Sequence, residues 1–381
     1  MPKYEPHRFP FRWNIADGYP AKGIEAHNST VFGTFICGGG SSMGYKLAGF
    51  HHLGGVELDP KVAETYKLNH HPELLYNEDI RDFNKREDLP PELYTLDLLD
   101  GSPPCSTFST AGSRDKAWGK EKHFAEGQKL QTLDDLVFIY CDTILKLKPK
   151  TFLLENVSGI IKGNAKSYSR RIVEYLTANG YDVQVFCLNA ATMGVPQARE
   201  RVFFIGHKKE YHLPKLVLNF NEEPIPFGEC KDKEGKHPTL GERETKLFNA
   251  RKYGDNDMGD TNLRLIGKQS CFNHIWLYGN KVCPTLPSTS AENRNFYHFE
   301  EPIRINETEI RNVSTFPQDY QSPYKDIGWL CGMSVPPVMT AQIAYQIYKQ
   351  WLSKIKAKEN VLESEPKPPG QGGRQDSRGN R

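Results

Sequence analysis

The 381-residue sequence has no apolar run long enough to cross a bilayer, and it lacks the basic, apolar and small-residue succession of a secretory leader. Its first thirty residues are polar, aromatic and proline-containing instead, so a cytoplasmic protein with no membrane partner is expected. Cysteine is sparse and scattered, with eight residues at 37, 105, 141, 187, 230, 271, 283 and 331. There is no C-x-x-C pair and no clustering with histidine at zinc spacing. That pattern argues against a disulfide framework and a zinc module, fits a reducing compartment, and gives no metal to expect. An excess of charge of one sign is missing too. With 49 basic and 47 acidic residues the formal net charge is only +2, far from the strongly basic balance that advertises nucleic acid, so any such surface must come from local clustering. What the composition does supply is a core: 38% hydrophobic and 11% aromatic residues, in a length suited to one large domain with an insertion or to two domains.

The most constrained stretch is Asp100-Gly-Ser-Pro103-Pro104-Cys105. The apolar run Tyr94 to Leu99 before it reads as a buried strand. Two consecutive prolines fix φ and remove two backbone donors, so the chain must leave the sheet there and Cys105 is held still at a strand end. In an open α/β sheet the carboxyl ends of strands are where ligands bind, which makes a pinned thiol there a candidate nucleophile. A lone Pro-Cys pair reads more simply as a buried structural thiol; the company it keeps decides.

That company starts with Val31 to Cys37 as a strand, Gly38-Gly39-Gly40 as a tight turn, and Ser42 to Ala48 as a helix capped by Ser41 or Ser42. Glycines there let a ligand approach the backbone beside a helix N-terminus. Leu53 to Glu57 reads as a second strand ending in an acid that can accept both hydroxyls of a ribose. Pro60 to Asn69 reads as a helix, and Asn77 to Ile80 closes a third short strand with another acid, Asp79. Leu133, Leu136, Val137, Tyr140, Cys141 and Ile144 mark one apolar helix face that Pro149 ends. Thr151 to Leu154 is the next strand, delivering Glu155-Asn156-Val157 to the edge that holds Cys105. A helix (Ser167 to Asn179) and two strands (Tyr181 to Leu188, Arg201 to Gly206) complete an α/β, doubly wound, mostly parallel sheet. The loop Ala111 to Lys129, around Trp118, reads as a lid over the cysteine. From 207 to 301 the alternation stops in a Pro-, Asn- and Gly-rich text with short aromatic strands such as Phe272 to Tyr278, which reads as a second, smaller domain. Ordered patterns return at Ile303 and end in a helix. The expected division is thus an arm (1–30), a main domain (31–206, resumed at 302–355), the smaller domain (207–301) and a disordered tail (356–381).

The order of motifs is specific: glycine turn, Glu57, Asp79, Pro-Pro-Cys105, Glu155-Asn-Val, Gln197-Ala-Arg199-Glu-Arg201, a variable segment, and Gly332-Met-Ser334-Val-Pro-Pro. It resembles the cytosine-C5 DNA methyltransferases of bacterial or phage type, over roughly 31–206 and 302–352, with 207–301 falling where that family carries its target-recognition segment. The resemblance implies a Rossmann-like methyltransferase domain using S-adenosylmethionine on double-stranded DNA, in a monomer accompanied in a restriction-modification system by a cognate endonuclease. It implies that Phe35, Gly38 and Gly40 wrap the cofactor, that Glu57 holds its ribose and Asp79 its adenine, and that Pro104 and Ser334 complete the pocket. It makes Cys105 the nucleophile, sets Glu155 on the cytosine N3 and amino group, and has Arg199 and Arg201 position the base and the thiolate. Gln197 and the pair Thr285-Leu286 fall among its DNA-facing residues. This chain departs from the family at Gly33 and Cys37 in the first motif, at Asn306, Thr308 and Ser314, where Glu309 is retained, and at Met333.

The chemistry explains these residue types. Carbon 5 of cytosine becomes a nucleophile only after a thiolate adds at carbon 6, and negative charge then building on the ring is relieved by a carboxylic acid at N3. A tRNA cytosine-5 methyltransferase shares this scaffold and chemistry and is the alternative reading. The long variable segment favours DNA, since reading a duplex needs extra surface for the major groove. A non-catalytic binding module is disfavoured by the intact nucleophile, acid and arginine, and a dinucleotide oxidoreductase leaves Pro-Pro-Cys and the paired arginines unexplained.

Overall fold

Apolar residues alternate along the central strands, so that sequence neighbours enter opposite faces of one sheet. In a computed structural model that describes residues 4–104, 134–268, 270–271 and 273–364, seven strands form that sheet. They are β1 (Thr30–Thr34), β2 (His51–Val56), β3 (Leu74–Tyr76), β4 (Leu98–Gly101), β5 (Thr151–Val157), β6 (Tyr181–Asn189) and β8 (Glu200–Lys208), with β7 the two-residue strand Gln197–Ala198 just before β8. Their order is β3-β2-β1-β4-β5-β8-β6. Every pairing is parallel except those of β8, which runs antiparallel to both β5 and β6. Val31, Leu98, Leu153, Phe203 and Ile205 enter one core, shared with α1 (Gly40–Leu47), while their neighbours Phe32, Leu99, Phe152, Leu154, Val202 and Phe204 enter the other. Both faces are buried, as a doubly covered sheet requires. The second core is closed by helices α3 (Ile80–Lys85), α4 (Asp134–Leu147) and α5 (Lys166–Ala178). Helix α2 (Pro60–His70) opens with Asp59 capping the amides of Lys61 and Val62.

The arm is irregular, with one 3-10 turn at Ile15–Asp17, yet Phe9 and Trp13 are buried in the first core and the Trp13 indole donates to the Thr315 carbonyl at 2.9 Å. In the 207–301 stretch, Leu216, Leu218, Ile225, Phe227 and Cys230 also belong to that core. A small cluster of its own holds Leu247 and Phe248 of α6 (Glu242–Ala250), Met258 of α7 (Met258–Ile266), Trp276 of β9 (Ile275–Leu277), Tyr278, and Tyr297 of β11 (Phe296–His298). The short β10 (Cys283–Pro284) pairs with β7, and α8 (Ser288–Glu292) follows it. Helices α9 (Glu307–Ser314), α10 (Ile327–Met333) and α11 (Pro337–Ile347) return to the first core, where α11 packs along α1.

Several local expectations are corrected. Neither Ser41 nor Ser42 caps α1: Gly39, left-handed at φ 78°, stands at its N-cap without a side-chain cap, and Ser42 Oγ accepts from Tyr66 instead. The third strand stops at Tyr76. Asp79 begins α3 as its cap, accepting from the Arg81 amide, because a carboxylate there satisfies an otherwise unpaired N–H. The run Tyr94 to Leu99 is not one strand, since Pro91–Tyr94 is a 3-10 turn and the ladder spans Leu98–Gly101. Asp97 interrupts it by accepting from the Thr30 amide at 2.9 Å and pairing with Lys150. Residues 356–364 are not tail but part of α12 (Ser353–Ser364), tied down by Ile355 in the core and by Lys356 to Asp97. Cys105, Leu133, the expected lid Ala111–Lys129, Phe272 and the tail from Pro366 lie outside the described residues.

Gly39 is a point where only glycine fits: a Cβ there would lie 2.1 Å from Nε2 of buried His70, on top of the left-handed backbone. The backbone alone disfavours any other residue by about 1–2 kcal/mol. Gly39→Ala is therefore expected to lower the urea midpoint by the equivalent of 2 kcal/mol or more, on the order of a severe core defect. An unchanged midpoint would contradict this packing.

Candidate active site

The carboxyl ends of β1, β2, β4 and β5 converge on a cleft of about 700 Å³. It sits where β1 lies between β2 and β4, the point at which successive connections leave in opposite directions and an open α/β sheet parts at its edge.

One end of the cleft is built from the glycine turn and the C-terminal return. Phe35 and Cys37 both hold positive φ, 56° and 47°, so the chain coils tightly after β1. Gly38 and Gly40 lie against the return: a Cβ on Gly40 would come within 2.3 Å of the Val335 carbonyl, and one on Gly38 within 3.1 Å of Leu330 and the Tyr320 hydroxyl. Glu57 is half-buried, with one carboxylate oxygen accepting from the Cys37 amide and the other from the Asp59 amide, both at 2.9 Å. Burial pushes its carboxyl up to about 7, against the pull of those amides. Folding therefore favours the protonated form, and the stability it contributes declines as pH rises from the ordinary carboxylate range to about 7. Asp79 lines the same cleft while capping α3 and pairing with Arg81 at 3.1 Å. Ser334 Oγ is buried without a hydrogen-bond partner among the described residues, and Pro104 is a half-buried wall.

The other end is charged. Glu155, near the end of β5, takes Arg201 Nε on its Oε1 at 3.0 Å, both side chains being mostly buried. This pairing exists because β8 is antiparallel, which sets Val157 opposite Arg201 at the same edge. Asn156 Nδ2 donates to the Pro103 carbonyl at 3.4 Å, while its Oδ1 accepts from the Val157 amide. It thereby ties the end of β5 to the turn that leads into Cys105. The sequence marks Asn156 as a motif member and sets Asp100 at the head of the Pro-Pro stretch, but gives neither a task. That carboxyl is buried, accepts from the Tyr45 hydroxyl at 2.9 Å and is pushed up to about 7 by burial.

Arg199 is buried, donating to the carbonyls of Leu286 (3.5 Å) and Gly332 (3.1 Å), with its Nε unpartnered among the described residues. Burial lowers its pKa, with repulsion from Arg201 adding to this and Glu155 opposing it. Two residues expected to face DNA are not presented that way. Gln197 is buried, its side chain donating to the Val313 carbonyl and accepting from the Leu286 amide, and Leu286 itself is in the core. An amide in the interior satisfies backbone groups that water cannot reach, so these two brace the β7–β10 junction. Thr285 remains partly exposed while donating to Ala198. Cys37, the described cysteine that lines the cleft, is pushed up to about 12 by burial and the charge of Glu57, which leaves it a poor source of thiolate. Met333, also on the cleft, is 48% exposed.

Because breaking one side of a mostly buried pair strands the other charge, Arg201→Leu is expected to destabilise the protein by about 2–4 kcal/mol. Urea unfolding reads this directly. A change under a few tenths would mean that Glu155 finds water or another donor.

Residues 31–349 match the family model of the C-5 cytosine-specific DNA methylases. Among curated proteins, the chain is 34% identical to the Type II methyltransferase M.DdeI of Desulfomicrobium norvegicum, over 81% of this chain and 86% of that one. It is 28% identical to the Type II methyltransferase M1.HphI of Haemophilus parahaemolyticus, over 84% and 87%. A solved E. coli chain described as a prophage-encoded DNA modification methyltransferase superposes with a TM-score of 0.63 at 20% identity, over 85% of this chain and 99% of that one. A mutant DNMT2 of Spodoptera frugiperda gives 0.59 at 15%, over 84% and 100%. Likeness at those identities speaks for the fold, here the Rossmann-like methyltransferase fold. The chain belongs to the C-5 cytosine-specific DNA methylases, enzymes that methylate carbon 5 of cytosine in DNA.

Proposed function

We propose that this enzyme takes its methyl group from S-adenosylmethionine and places it on a cytosine flipped out of a specific duplex sequence, with Cys105 as nucleophile. The observation that carries the reading is the Glu155–Arg201 pair standing at the strand edge whose neighbouring turn, Pro103-Pro104, Asn156 holds in place. Cys105 follows that turn directly. Thiolate addition to carbon 6 of the ring is favoured by positive charge nearby, which Arg201 and Arg199 supply. Glu155 is set to hydrogen-bond N3 and the exocyclic amine, and to relieve charge on the ring as the thiolate adds. None of this is possible with the base stacked, so the duplex must yield the nucleotide at a cost of a few kcal/mol.

The cofactor, when bound, supplies an electrophilic sulfonium methyl. The residues present fit it: the unpartnered Ser334 Oγ, the backbone of the Gly38–Gly40 turn, the apolar face of Phe35 and the carboxylates of Glu57 and Asp79 line one cleft. With one lone pair on each oxygen already committed to an amide, Glu57 is oriented to offer the remaining ones to a ribose. The segment 207–301 is assigned to target recognition, and the enzyme to a monomer in the cytoplasm that protects DNA beside a restriction endonuclease of the same specificity. Support for the last point is that the curated relatives are Type II methyltransferases. The likeness to DNMT2 is one of fold and does not favour tRNA.

Two experiments test this. Fluorine at carbon 5 cannot leave as a cation after methyl transfer, so duplex DNA carrying 5-fluorocytosine at the target is expected to trap a denaturation-resistant complex that requires the cofactor. Cys105→Ala should abolish the complex and Glu155→Gln slow its formation, and a crosslink mapping to another cysteine would overturn the mechanism. Exchanging 207–301 into a relative of known specificity should move the specificity with it, and an active hybrid that keeps its old site would refute the assignment.

A further inference from the structure

Outside the cleft, the three side chains His237, His298 and Glu309 come together with their ligand-type atoms within 4.8 Å of one another. Glu309 lies in α9 and is fully buried, His298 ends β11 and is equally buried, and His237 comes from the loop before α6. Two histidines and a carboxylate invite a metal reading, but the hydrogen bonds of His237 argue otherwise. Its Nε2 lies 2.9 Å from the carbonyl of Asp232 and its Nδ1 3.1 Å from the carbonyl of Arg304, while the Asn306 amide nitrogen, 3.5 Å from Nε2, directs its two hydrogens to Asp232 Oδ2 and the Lys236 carbonyl. A carbonyl oxygen can only accept, so satisfying both contacts requires a proton on each ring nitrogen, and a ring with two protons has no lone pair for a cation. The same two protons make the ring an imidazolium. Its counter-charge is the Glu309 carboxylate, whose Oε2 is 3.6 Å from Nδ1. That carboxylate is otherwise fastened by donors alone: Oε1 takes the Asp232 amide at 3.1 Å, and Oε2 takes the Asn306 amide at 3.2 Å and His298 Nε2 at 2.9 Å.

We propose that His237 is a positioning residue which, held as an imidazolium at neutral pH, clips the target-recognition segment to α9 through Glu309 and so sets how firmly cognate DNA is read. This rests on the assignment of 207–301 to recognition. Glu309 sits in the helix that precedes the cofactor wall, whereas His237 and His298 both belong to the segment, so the clip spans the two bodies that must grip the duplex together.

Carboxylates face His237 from three places, and the nearby cations Lys231 and Arg304 are each paired with a carboxylate. Asp232 lies five residues before it in the same loop, Glu309 in α9, and Glu301 in the turn after β11, where it also pairs with Lys231. His298 presents its ring edge-on at 5.3 Å, and Arg304 offers its carbonyl while its guanidinium is turned to Glu244. Burial by itself would lower the pKa of His237. The two carbonyls and the charges of Glu309 and Asp232 outweigh it and hold the pKa above the ordinary 6.5. The sign follows: the clip is fully present below the ordinary histidine value and is lost as pH rises through the raised one. Each unit of that rise corresponds to about a tenfold change in the clip's equilibrium constant.

The experiment uses full-length enzyme labelled with 15N in histidine. At about pH 7.5, where an ordinary histidine is mostly neutral, both ring nitrogens of His237, assigned by their loss in His237→Gln, are expected to show protonated shifts. In parallel, binding of cognate and non-cognate duplexes is compared across the alkaline range. Cognate affinity should fall by about tenfold per unit of raised pKa, non-cognate affinity should stay level, and His237→Gln should hold the weak cognate value at every pH with cofactor binding unchanged. A singly protonated ring, or stoichiometric zinc retained by the purified enzyme, overturns the proposal. So does a doubly protonated ring with a flat cognate-to-non-cognate ratio, whereas failure of the recognition assignment itself would show in the segment exchange.

Discussion

A mostly buried carboxylate at the end of a central strand is costly without a cation beside it, and the direction of one strand supplies that cation. Strand β8 enters between β5 and β6 and runs against both. Its first residues, which carry Arg201 and follow Gln197 and Arg199, therefore arrive at the edge where the parallel strands end. A parallel β8 would have left the arginines on the opposite rim, some seven residues of strand away, and Glu155 stranded. The remainder of the charged end follows from this reversal. Arg201 neutralises Glu155, Asn156 of the same strand reaches the Pro103 carbonyl, and the turn before Cys105 is pinned next to both.

The opposite end of the cleft depends on closeness rather than charge. Gly40 meets the Val335 carbonyl and Gly44 the Pro337 carbonyl with no room for a side chain, so α1 and the start of α11 touch nearly backbone to backbone. Stretches almost three hundred residues apart in sequence thus form one wall. That wall, including Ser334 and the amide-loaded Glu57, exists only once the chain has returned to its own beginning. A ligand bound there would stabilise the closed molecule by mass action, which ties occupancy of the pocket to integrity of the fold.

Much of this was legible in the sequence, for identifiable reasons. Strand-helix alternation, the glycine turn, Glu57 and Glu155 are local patterns, and each lies at the strand edge expected of it. What was not legible depended on partners distant in the chain. Gln197 and Leu286 carry the marks of an exposed recognition motif, yet they brace one another inside, because a buried β7–β10 junction leaves backbone groups that only a side-chain amide can reach. Asp97 splits an apolar run that pattern alone reads as continuous strand, since its carboxylate is needed by the Thr30 amide and by Lys150. His237 gives no signal in its own neighbourhood, for its partners are carbonyls at 232 and 304 and a carboxylate at 309.

Arg199 shows why such distant partners matter for chemistry. Its guanidinium bridges the Leu286 carbonyl, just beyond β10, and the Gly332 carbonyl beside Ser334, at the expense of burying a charge. Two guanidiniums, Arg199 buried and Arg201 mostly so, then share the buried carboxylate Glu155, whose charge opposes the lowering of both pKa values by burial; the more exposed Glu200 also acts on Arg201 but is paired with Lys162. Asp100 adds little, because burial pushes its carboxyl up to about 7 and leaves it substantially protonated at neutral pH. The edge therefore carries an unbalanced positive charge directly beside the turn that leads to Cys105. An anion arriving there restores neutrality, and a thiolate is the anion that the chain itself can provide.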